Sequence, residues 1–176
     1  MKIAFELNGK PTSLEIEPRE TLAEVLRARC RLTGVKLSCE SQVCGTCTVL
    51  VDNIPVSACT YLAYEIRDKH VTTIEGLADG GRLHPMQQSF LDNFAFQCGF
   101  CTPGMILAAK ALLDENASVS DEEITAYMSG NLCRCTGYLG ILKAIRQAAV
   151  ELQGDSQGKG RIRELKGEGA SDTSDG

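Results

Sequence analysis

The sequence predicts an α+β fold in two consecutive parts, and three observations lead to this prediction. In residues 1–77, apolar side chains alternate in short runs, which is the period of half-buried β-strands. From Pro85 onward, apolar residues recur at helical spacing. Between the two patterns, Asp79-Gly80-Gly81 has the composition of a linker. We therefore expect a sheet-containing domain at 1–77, a linker at 78–84 and an all-α domain of four helices at 85–153.

Each element of the first part has a local signal. Lys2 to Leu7 alternates, and Asn8-Gly9 then favours a tight hairpin because both positions tolerate positive φ. Thr21-Leu-Ala-Glu24 is a capping box, which indicates the start of a short helix. The remaining predicted strands are a second hairpin, Thr48–Val51 with Ile54–Ser57, and a last strand, Val71–Ile74.

Helix signals recur through the second part. Thr102-Pro103 places a hydroxyl before a proline at the first helical position, which predicts a helix over 103–114. A second capping box, Ser120-Asp-Glu-Glu123, predicts the next helix, and the last helix is expected at Leu139–Leu152. Residues 154–176 are rich in Gly, Ser, Asp and Lys with few apolar anchors, so we expect a disordered tail.

Composition and charge exclude several classes of function. The net charge of -5 argues against a surface for nucleic acid or anionic membranes, because phosphate binding needs a basic face. The sequence contains no signal peptide and no run of about 20 apolar residues, so we expect a cytoplasmic protein. In that reducing compartment, nine cysteines are expected to be metal ligands rather than disulfides. The chain also lacks a glycine-rich nucleotide fingerprint.

Eight of the nine cysteines fall into two groups with the spacing of metal ligands. The first group follows C-x4-C-x2-C-x11-C, the plant-type [2Fe–2S] pattern, on a loop that follows a predicted hairpin and helix, as in a β-grasp ferredoxin module. The second group combines C-x2-C with C-x-C. We interpret the chain as an electron carrier with two iron–sulfur clusters, whose ligands are Cys39, Cys44, Cys47 and Cys59 in the first group and Cys98, Cys101, Cys133 and Cys135 in the second.

Two other interpretations stay open from the residues alone. One is a zinc-stapled adaptor without redox function, although zinc sites favour two C-x2-C knuckles. The other is a free-standing two-cluster ferredoxin that serves several partners. Colour separates zinc from iron, since zinc–thiolate sites are colourless.

The surroundings of the cysteines should favour thiolates. In the first group we expect the backbone N–H groups of the tight Cys44 to Cys47 turn to do so, and in the second group the N-terminal ends of helices. The ninth cysteine, Cys30, is expected to be a small, half-buried residue. His70 and His84 are expected to be surface or helix-capping residues.

Two long motifs in the second part resemble those of a known family. Cys98-Gly-Phe-Cys-Thr-Pro-Gly104 and Gly130-Asn-Leu-Cys-Arg-Cys-Thr-Gly-Tyr138, preceded by Thr73-Ile-Glu-Gly76, resemble the iron–sulfur subunit of molybdenum hydroxylases. That family includes xanthine dehydrogenase, aldehyde oxidoreductase and aerobic carbon monoxide dehydrogenase. The resemblance covers residues 2–152 and implies a plant-ferredoxin-like β-grasp domain and a four-helix domain, each with one [2Fe–2S] cluster.

The resemblance also implies cofactors on partner subunits. A large subunit would carry the molybdopterin cofactor and a medium subunit FAD, in a heterotrimer or a dimer of heterotrimers. By this likeness, Gln97 and Cys135 would lie near the molybdopterin, while Gly45 and Thr46 would face FAD. Electrons would pass from the molybdenum subunit through the second cysteine group, then the first, to FAD. One position departs from the pattern, because Gln42 stands where many members have glycine.

Overall fold

The computed structural model describes the backbone of residues 1–165 and the side chains of residues 1–154, and it shows an α+β chain. A mixed sheet is built from the N-terminal part, and helices follow it. The last helix was predicted to end at Leu152, but it continues to Leu165, so the backbone of residues 154–165 is helical and not disordered as expected. The rest of the predicted tail, 166–176, lies outside the described residues.

The sheet of the described chain has five strands in the order β2-β1-β5-β3-β4. β1 pairs antiparallel with β2 and parallel with β5, and β3 pairs antiparallel with both β4 and β5. Both predicted hairpins are confirmed, whereas the last strand is displaced because the chain turns into a short 3-10 helix at Ile74–Gly76. The strands are β1 Lys2–Leu7, β2 Lys10–Glu15, β3 Thr48–Val51, β4 Ile54–Ser57 and β5 His70–Thr72.

The two helices with a predicted capping box begin where it lies, whereas α3 begins at Thr102 itself, whose hydroxyl was expected to cap the helix but makes no capping hydrogen bond. Thr21 and Ser120 each accept a hydrogen bond from the backbone N–H three residues on, and the glutamate there bonds back to the cap. Within residues 1–165, no helix combines the length and the apolar character needed to cross a bilayer. The helices are α1 Leu22–Glu24, which continues as a π-helical turn at Val25–Arg29, then α2 Pro85–Asp92, α3 Thr102–Glu115, α4 Asp121–Met128 and α5 Leu139–Leu165.

Strand β3 joins the two parts of the molecule. Val49 and Val51 belong to the apolar core beneath the sheet, while Leu50 points to the other face and packs against Leu107 and Ala111 of α3. All four residues of β3 are therefore buried. Since β3 follows Cys47 directly and α3 follows Cys101 directly, this packing brings the two cysteine-bearing regions together.

Candidate functional site

The first cysteine group lies at one end of the sheet. Cys47 precedes β3 and Cys59 follows β4, so the hairpin brings their side chains within hydrogen-bonding reach. Burial is the main cause that raises the pKa of Cys47 to about 11. Cys39 and Cys44 lie on the preceding loop, and both are partly exposed. The strand pairing thus supplies one pair of thiols, and the loop supplies the other.

Backbone N–H groups converge on the sulfur of Cys39. Its Sγ accepts bonds from the N–H of Ser41 at 3.5 Å and from those of Val43 and Cys44, each at 3.4 Å. These bonds, with Ser41 contributing most, lower the pKa of Cys39 to about 6. The prediction of thiolate-stabilising backbone groups is right in kind, but the donors are residues 41, 43 and 44, of which only Cys44 belongs to the predicted turn at 44–47.

Gln42 adopts the left-handed conformation without being a glycine. Its φ is +62°, and that of Glu40 is +52°. The Gln42 side chain accepts a hydrogen bond of 3.1 Å from the Thr60 hydroxyl, next to Cys59. The departure from glycine therefore leaves the loop closed, since this bond ties its exposed turn to the segment that carries the fourth cysteine.

Gly45 and Thr46 are buried against the helical part of the chain. The Gly45 carbonyl accepts a hydrogen bond of 3.0 Å from the Asn131 amide, and a Cβ on Gly45 would lie 2.5 Å from the Gly130 carbonyl oxygen. Residues 130 and 131 thus cover Gly45, while Thr46 lines the pocket described below, and the expectation that the two residues face FAD stays a prediction. The exposed part of the loop is instead 41–43.

The second cysteine group is gathered from two loops. Cys98 and Cys101 precede α3, while Cys133 and Cys135 lie between α4 and α5. The Sγ atoms of Cys98 and Cys135 are 3.7 Å apart, and Cys101 lies within hydrogen-bonding reach of Cys133. Two thiolates on one tetrahedral metal with bonds of about 2.3 Å are about 3.8 Å apart. The spacing of the first pair therefore suits two ligands of one metal ion.

Three thiols of this group, those of Cys101, Cys133 and Cys135, differ in their electrostatic surroundings. Burial, followed by the bond to Cys133, raises the pKa of Cys101 to about 12, so burial outweighs the nearby start of α3. Burial would also raise the pKa of Cys133, but the hydroxyl and N–H of Thr136, at 3.1 and 3.4 Å, contribute to a net lowering. The bond to Cys98 raises the pKa of Cys135.

A pocket of about 460 Å³ lies where the two groups approach each other. A [2Fe–2S] cluster fits the donor set, because paired thiols suit two irons that each take two protein ligands. In residues 1–154, no three Cys, His, Asp or Glu side chains converge as a single-ion site requires. The pocket is lined by Ser38, Cys44, Thr46, Cys98, Phe100, Cys101, Leu132, Cys133, Arg134, Cys135 and Tyr138.

Of the other residues that the sequence singled out, Cys135 lines the pocket, while Gln97, His84, His70 and Cys30 do not. Gln97 is exposed beside Cys98, and Cys135 is also exposed, so both are accessible from outside. His84 caps α2, as its Nδ1 accepts from the Met86 N–H at 3.1 Å. His70 is exposed and lies near Asp52 and Glu6. Cys30 is partly buried, which raises its pKa.

The sequence did not predict three hydrogen bonds made by the segment 130–138, which carries Cys133 and Cys135. The Leu132 N–H donates to the Cys44 carbonyl at 2.9 Å, the Cys133 N–H donates to the Tyr138 hydroxyl at 2.8 Å, and the Asn131 amide reaches Gly45. All three residues belong to the motif at 130–138. The motif was the one feature of the sequence that pointed to these residues. Their hydrogen-bond partners could not be predicted, because two of the three contacts depend on how the two parts of the molecule pack.

Comparisons with known proteins agree with this geometry. A 2Fe-2S iron-sulfur cluster binding domain matches residues 5–73, and a [2Fe-2S] binding domain matches residues 73–146. The nicotinate dehydrogenase small FeS subunit of Eubacterium barkeri is 49% identical over 146 residues, which is 83% of this chain and 93% of that protein.

Two solved structures share the fold. Quinoline 2-oxidoreductase from Pseudomonas putida 86 has a TM-score of 0.83 at 46% identity, and the match covers 86% of this chain and 94% of that one. The aldehyde oxidoreductase of Desulfovibrio desulfuricans has a TM-score of 0.84 at 40% identity, over 87% of this chain but 17% of that one. With two [2Fe–2S]-binding domains and relatives of this kind over most of its length, the chain belongs to the small iron–sulfur subunits of the molybdenum hydroxylases and is an oxidoreductase subunit.

Proposed function

We propose that the chain is the electron-transfer subunit of a molybdenum hydroxylase, with one [2Fe–2S] cluster in each of two domains. The domains would span 1–77 and 85–153, the second formed by helices α2 to α5 and joined to the first by 78–84. Each cluster would supply a site that takes up and releases a single electron. Electrons from substrate oxidation on a molybdenum-cofactor subunit would reach the helical domain first, then the N-terminal domain, and then an FAD subunit.

The observation that carries this proposal is the direct contact between the two cysteine loops. The Leu132 N–H donates to the Cys44 carbonyl at 2.9 Å, and Leu132 is bonded to Cys133. A path along the backbone from Cys133 to Cys44 therefore crosses a single hydrogen bond. Such a path couples two redox sites more strongly than a gap of the same length, which suits a relay between them.

The pairing of the thiols supports an assignment of ligands to irons. In the helical domain, Cys98 and Cys135 would hold one iron, since their sulfurs are 3.7 Å apart, and Cys101 and Cys133 would hold the other. In the N-terminal domain, the hairpin pair Cys47 and Cys59 would hold one iron. The loop pair, Cys39 and Cys44, would hold the second.

The exposed residues support separate docking sites for the two partners. Cys98, Cys135 and Gln97 are open to the outside, so the molybdenum-cofactor subunit would approach this side of the helical domain. In the N-terminal domain the exposed side of the loop is 41–43, where Val43 is 63% exposed. We propose this turn, in place of Gly45 and Thr46, as the segment that faces FAD.

The choice of substrate would fall on the molybdenum-cofactor subunit. The relatives that resemble this chain are named for nicotinate, quinoline and aldehyde oxidation, at identities of 49%, 46% and 40%. One type of iron–sulfur subunit thus serves chemically different substrates. An iron–sulfur subunit can serve different substrates in this way because none of its electron-transfer residues needs to contact the substrate.

The test is a set of single cysteine variants in the complex purified with its partners. Cys98→Ala should leave the EPR signal of the N-terminal cluster and remove the other, with iron falling from about four to about two per chain. Cys47→Ala should do the reverse. Cys30→Ala is the matched control, because Cys30 lies outside both groups, and it should keep both signals.

Three results would contradict the proposal. Zinc in place of iron would identify the adaptor without redox function. Two clusters on a chain that purifies without molybdenum or flavin would identify a free-standing ferredoxin. Loss of both signals from Cys30→Ala and retention of both in Cys98→Ala would show that the ligands are assigned wrongly.

A further inference from the structure

Asn131 is a buried amide at the boundary between the two domains. Its exposed fraction is 7%, and its backbone N–H bonds to the Met128 carbonyl at the end of α4. Its side-chain Nδ2 donates to the Gly45 carbonyl at 3.0 Å and approaches the Thr48 hydroxyl at 3.4 Å. Burying an amide without hydrogen-bond partners costs desolvation free energy. The side chain of Asn131 is therefore held where it makes these two contacts.

The Gly45 carbonyl is held from two sides. The Thr48 N–H and hydroxyl donate to it at 3.1 and 2.7 Å from within the N-terminal domain. Asn131 donates from the helical domain. A Cβ on Gly45 would lie 2.6 Å from the Asn131 Nδ2, so the loop is in contact with the amide with no space between them.

The amide stands beside the bond that joins the two cysteine loops. Leu132 follows Asn131 directly, and its N–H donates to the carbonyl of Cys44, the residue before Gly45. Two consecutive residues of one loop therefore bind two consecutive carbonyls of the other. Removal of the Asn131 bond leaves the Leu132 bond as the sole hydrogen bond of this pair between the two loops.

We propose that Asn131 is a positioning residue that fixes the contact, and hence the electronic coupling, between the two cysteine groups. Its side-chain amide bonds to Gly45 and Thr48 and to no cysteine sulfur of the described residues, so it acts through the Gly45 carbonyl. The proposal rests on the proposed function, since it assigns Asn131 a part in the relay. It goes beyond that function by naming the side chain that holds the two loops in register.

The test compares three variants in the full complex. Asn131→Asp keeps the shape of the side chain but places an oxygen where the amide donated, and Asn131→Ser removes the amide without adding charge. Asn93→Asp is the matched control, because the Asn93 amide donates to Ser89 and Gln147 within the helical domain and to neither cysteine loop. The readouts are the magnetic interaction between the reduced clusters in EPR and hydrogen exchange of residues 44–50.

We expect both Asn131 variants to keep about four irons per chain and to change or lose the magnetic splitting, while Asn93→Asp retains it. Exchange at 44–50 should rise on the order of tenfold, because a buried hydrogen bond that holds the loop is lost. Wild-type splitting and wild-type exchange in Asn131→Ser would overturn the proposal. The same change in Asn93→Asp would also overturn it, since the effect would then be general destabilisation.

The exchange measurement separates this proposal from the proposed function. It reports the contact between Asn131 and Gly45 in the chain whether or not iron is bound. If the wild-type chain bound zinc, the relay would be wrong, yet faster exchange in Asn131→Ser would still identify the contact. If both clusters were present and Asn131→Ser left exchange and splitting unchanged, the relay would stand and the role of Asn131 would not.

Discussion

At the residue scale, Gln42 shows how a loop around cysteines can use a left-handed turn without glycine. A φ of +62° costs about 1 to 2 kcal/mol for a residue with a Cβ. The hydrogen bond from Thr60 offsets part of this cost, and it also connects the turn to the neighbour of Cys59. The strained backbone conformation of Gln42 therefore places its side chain where it connects the loop to the segment that carries Cys59.

Two substitutions at this position separate strain from the hydrogen bond. Gln42→Ala and Gln42→Gly both lose the bond to Thr60, but only alanine keeps a Cβ at positive φ. We expect Gln42→Ala to be less stable than Gln42→Gly by about 1 kcal/mol, measured as the temperature at which the visible absorbance of the first cluster is lost. Thr60→Val removes the same bond without touching the backbone. Equal midpoints for the alanine and glycine variants would contradict the strained turn.

A second residue of interest is Gly104, in the first turn of α3. A Cβ there would lie 2.5 Å from the Gly45 carbonyl oxygen and 3.0 Å from that of Thr46, so the backbone of the first cysteine loop leaves no room for a side chain. We expect Gly104→Ala to destabilise the protein by about 1 to 3 kcal/mol and to broaden the EPR signal of the first cluster.

Gly130→Ala is the control for this prediction. Gly130 lies at the same boundary, but a Cβ on it would have no atom within 4 Å. Its effect on stability should stay within about 0.5 kcal/mol. Equal effects of the two alanines on the midpoint of thermal unfolding would mean that the close packing of Gly104 does not hold the loop.

At the element scale, the start of α2 depends on a histidine that must be neutral. The His84 Nδ1 accepts from the Met86 N–H, and the Gln87 side chain bonds back to the His84 N–H at 3.0 Å. Burial, with the nearby Lys110 charge, lowers the pKa of His84 below its ordinary 6.5, although Asp114 acts in the opposite direction. Protonation would remove the acceptor and leave the N-terminus of the helix uncapped.

This arrangement predicts a specific loss of stability in acid. Because the pKa of His84 is lower in the folded state, its contribution is fully present above 6.5 and declines as pH falls through the folded-state pKa. Between about pH 7.5 and about pH 5.5 the midpoint of thermal unfolding should therefore fall more for the wild type than for His84→Asn. Asparagine is a good N-cap that does not titrate in this range. Parallel curves for the two proteins would contradict the capping role.

The sequence is informative about elements wherever the signal is local. Asn8-Gly9 and the two capping boxes fix their turns and helix starts through neighbouring atoms, and all three are found as predicted. The π-helical turn at Val25–Arg29 was not predicted, because its i to i+5 bond has no recognised pattern in these residues. The last strand was predicted at Val71–Ile74 but lies at His70–Thr72, because the chain turns into a 3-10 helix at Ile74–Gly76 that was likewise not predicted.

The candidate site was predictable as a set of cysteines but not as an assembly. Spacing singled out eight cysteines as candidate ligands, because ligand spacing is a property of the chain. The burial of Gly45 and Thr46 was missed because it depends on the packing of Leu50 against α3. The hydrogen bond between Asn131 and Gly45 was missed for the same reason, since the two residues are 86 positions apart in sequence.

At the scale of the whole molecule, apolar side chains are exposed on the helical domain close to its cysteine loops. Phe94 is 82% exposed and has a φ of +50°, and Leu139 is 72% exposed. A Cβ on Gly140 would lie 3.6 Å from the Phe94 carbonyl oxygen, so the backbone of Phe94 lies beside the residue that follows Leu139. Large exposed aromatic residues with apolar neighbours are typical of surfaces that other proteins cover. In the similar aldehyde oxidoreductase, the matched region is 17% of a single longer chain.

If the chain has the proposed function, Phe94 is expected to contact the molybdenum-cofactor subunit, because it is exposed on the helical domain near Cys98. Phe94→Ser should weaken that association by about 2 kcal/mol or more, about thirtyfold in Kd, because a buried aromatic anchor is lost from the interface. The matched control is Ile54→Ser on β4, since Ile54 is 64% exposed but lies on the edge strand of the sheet. Titration of the purified partner with each variant, after equal iron content is established, gives the two constants. A Kd for Phe94→Ser equal to that of Ile54→Ser would move the interface away from Phe94, and the partner would then have to reach Cys135 from another side of the helical domain.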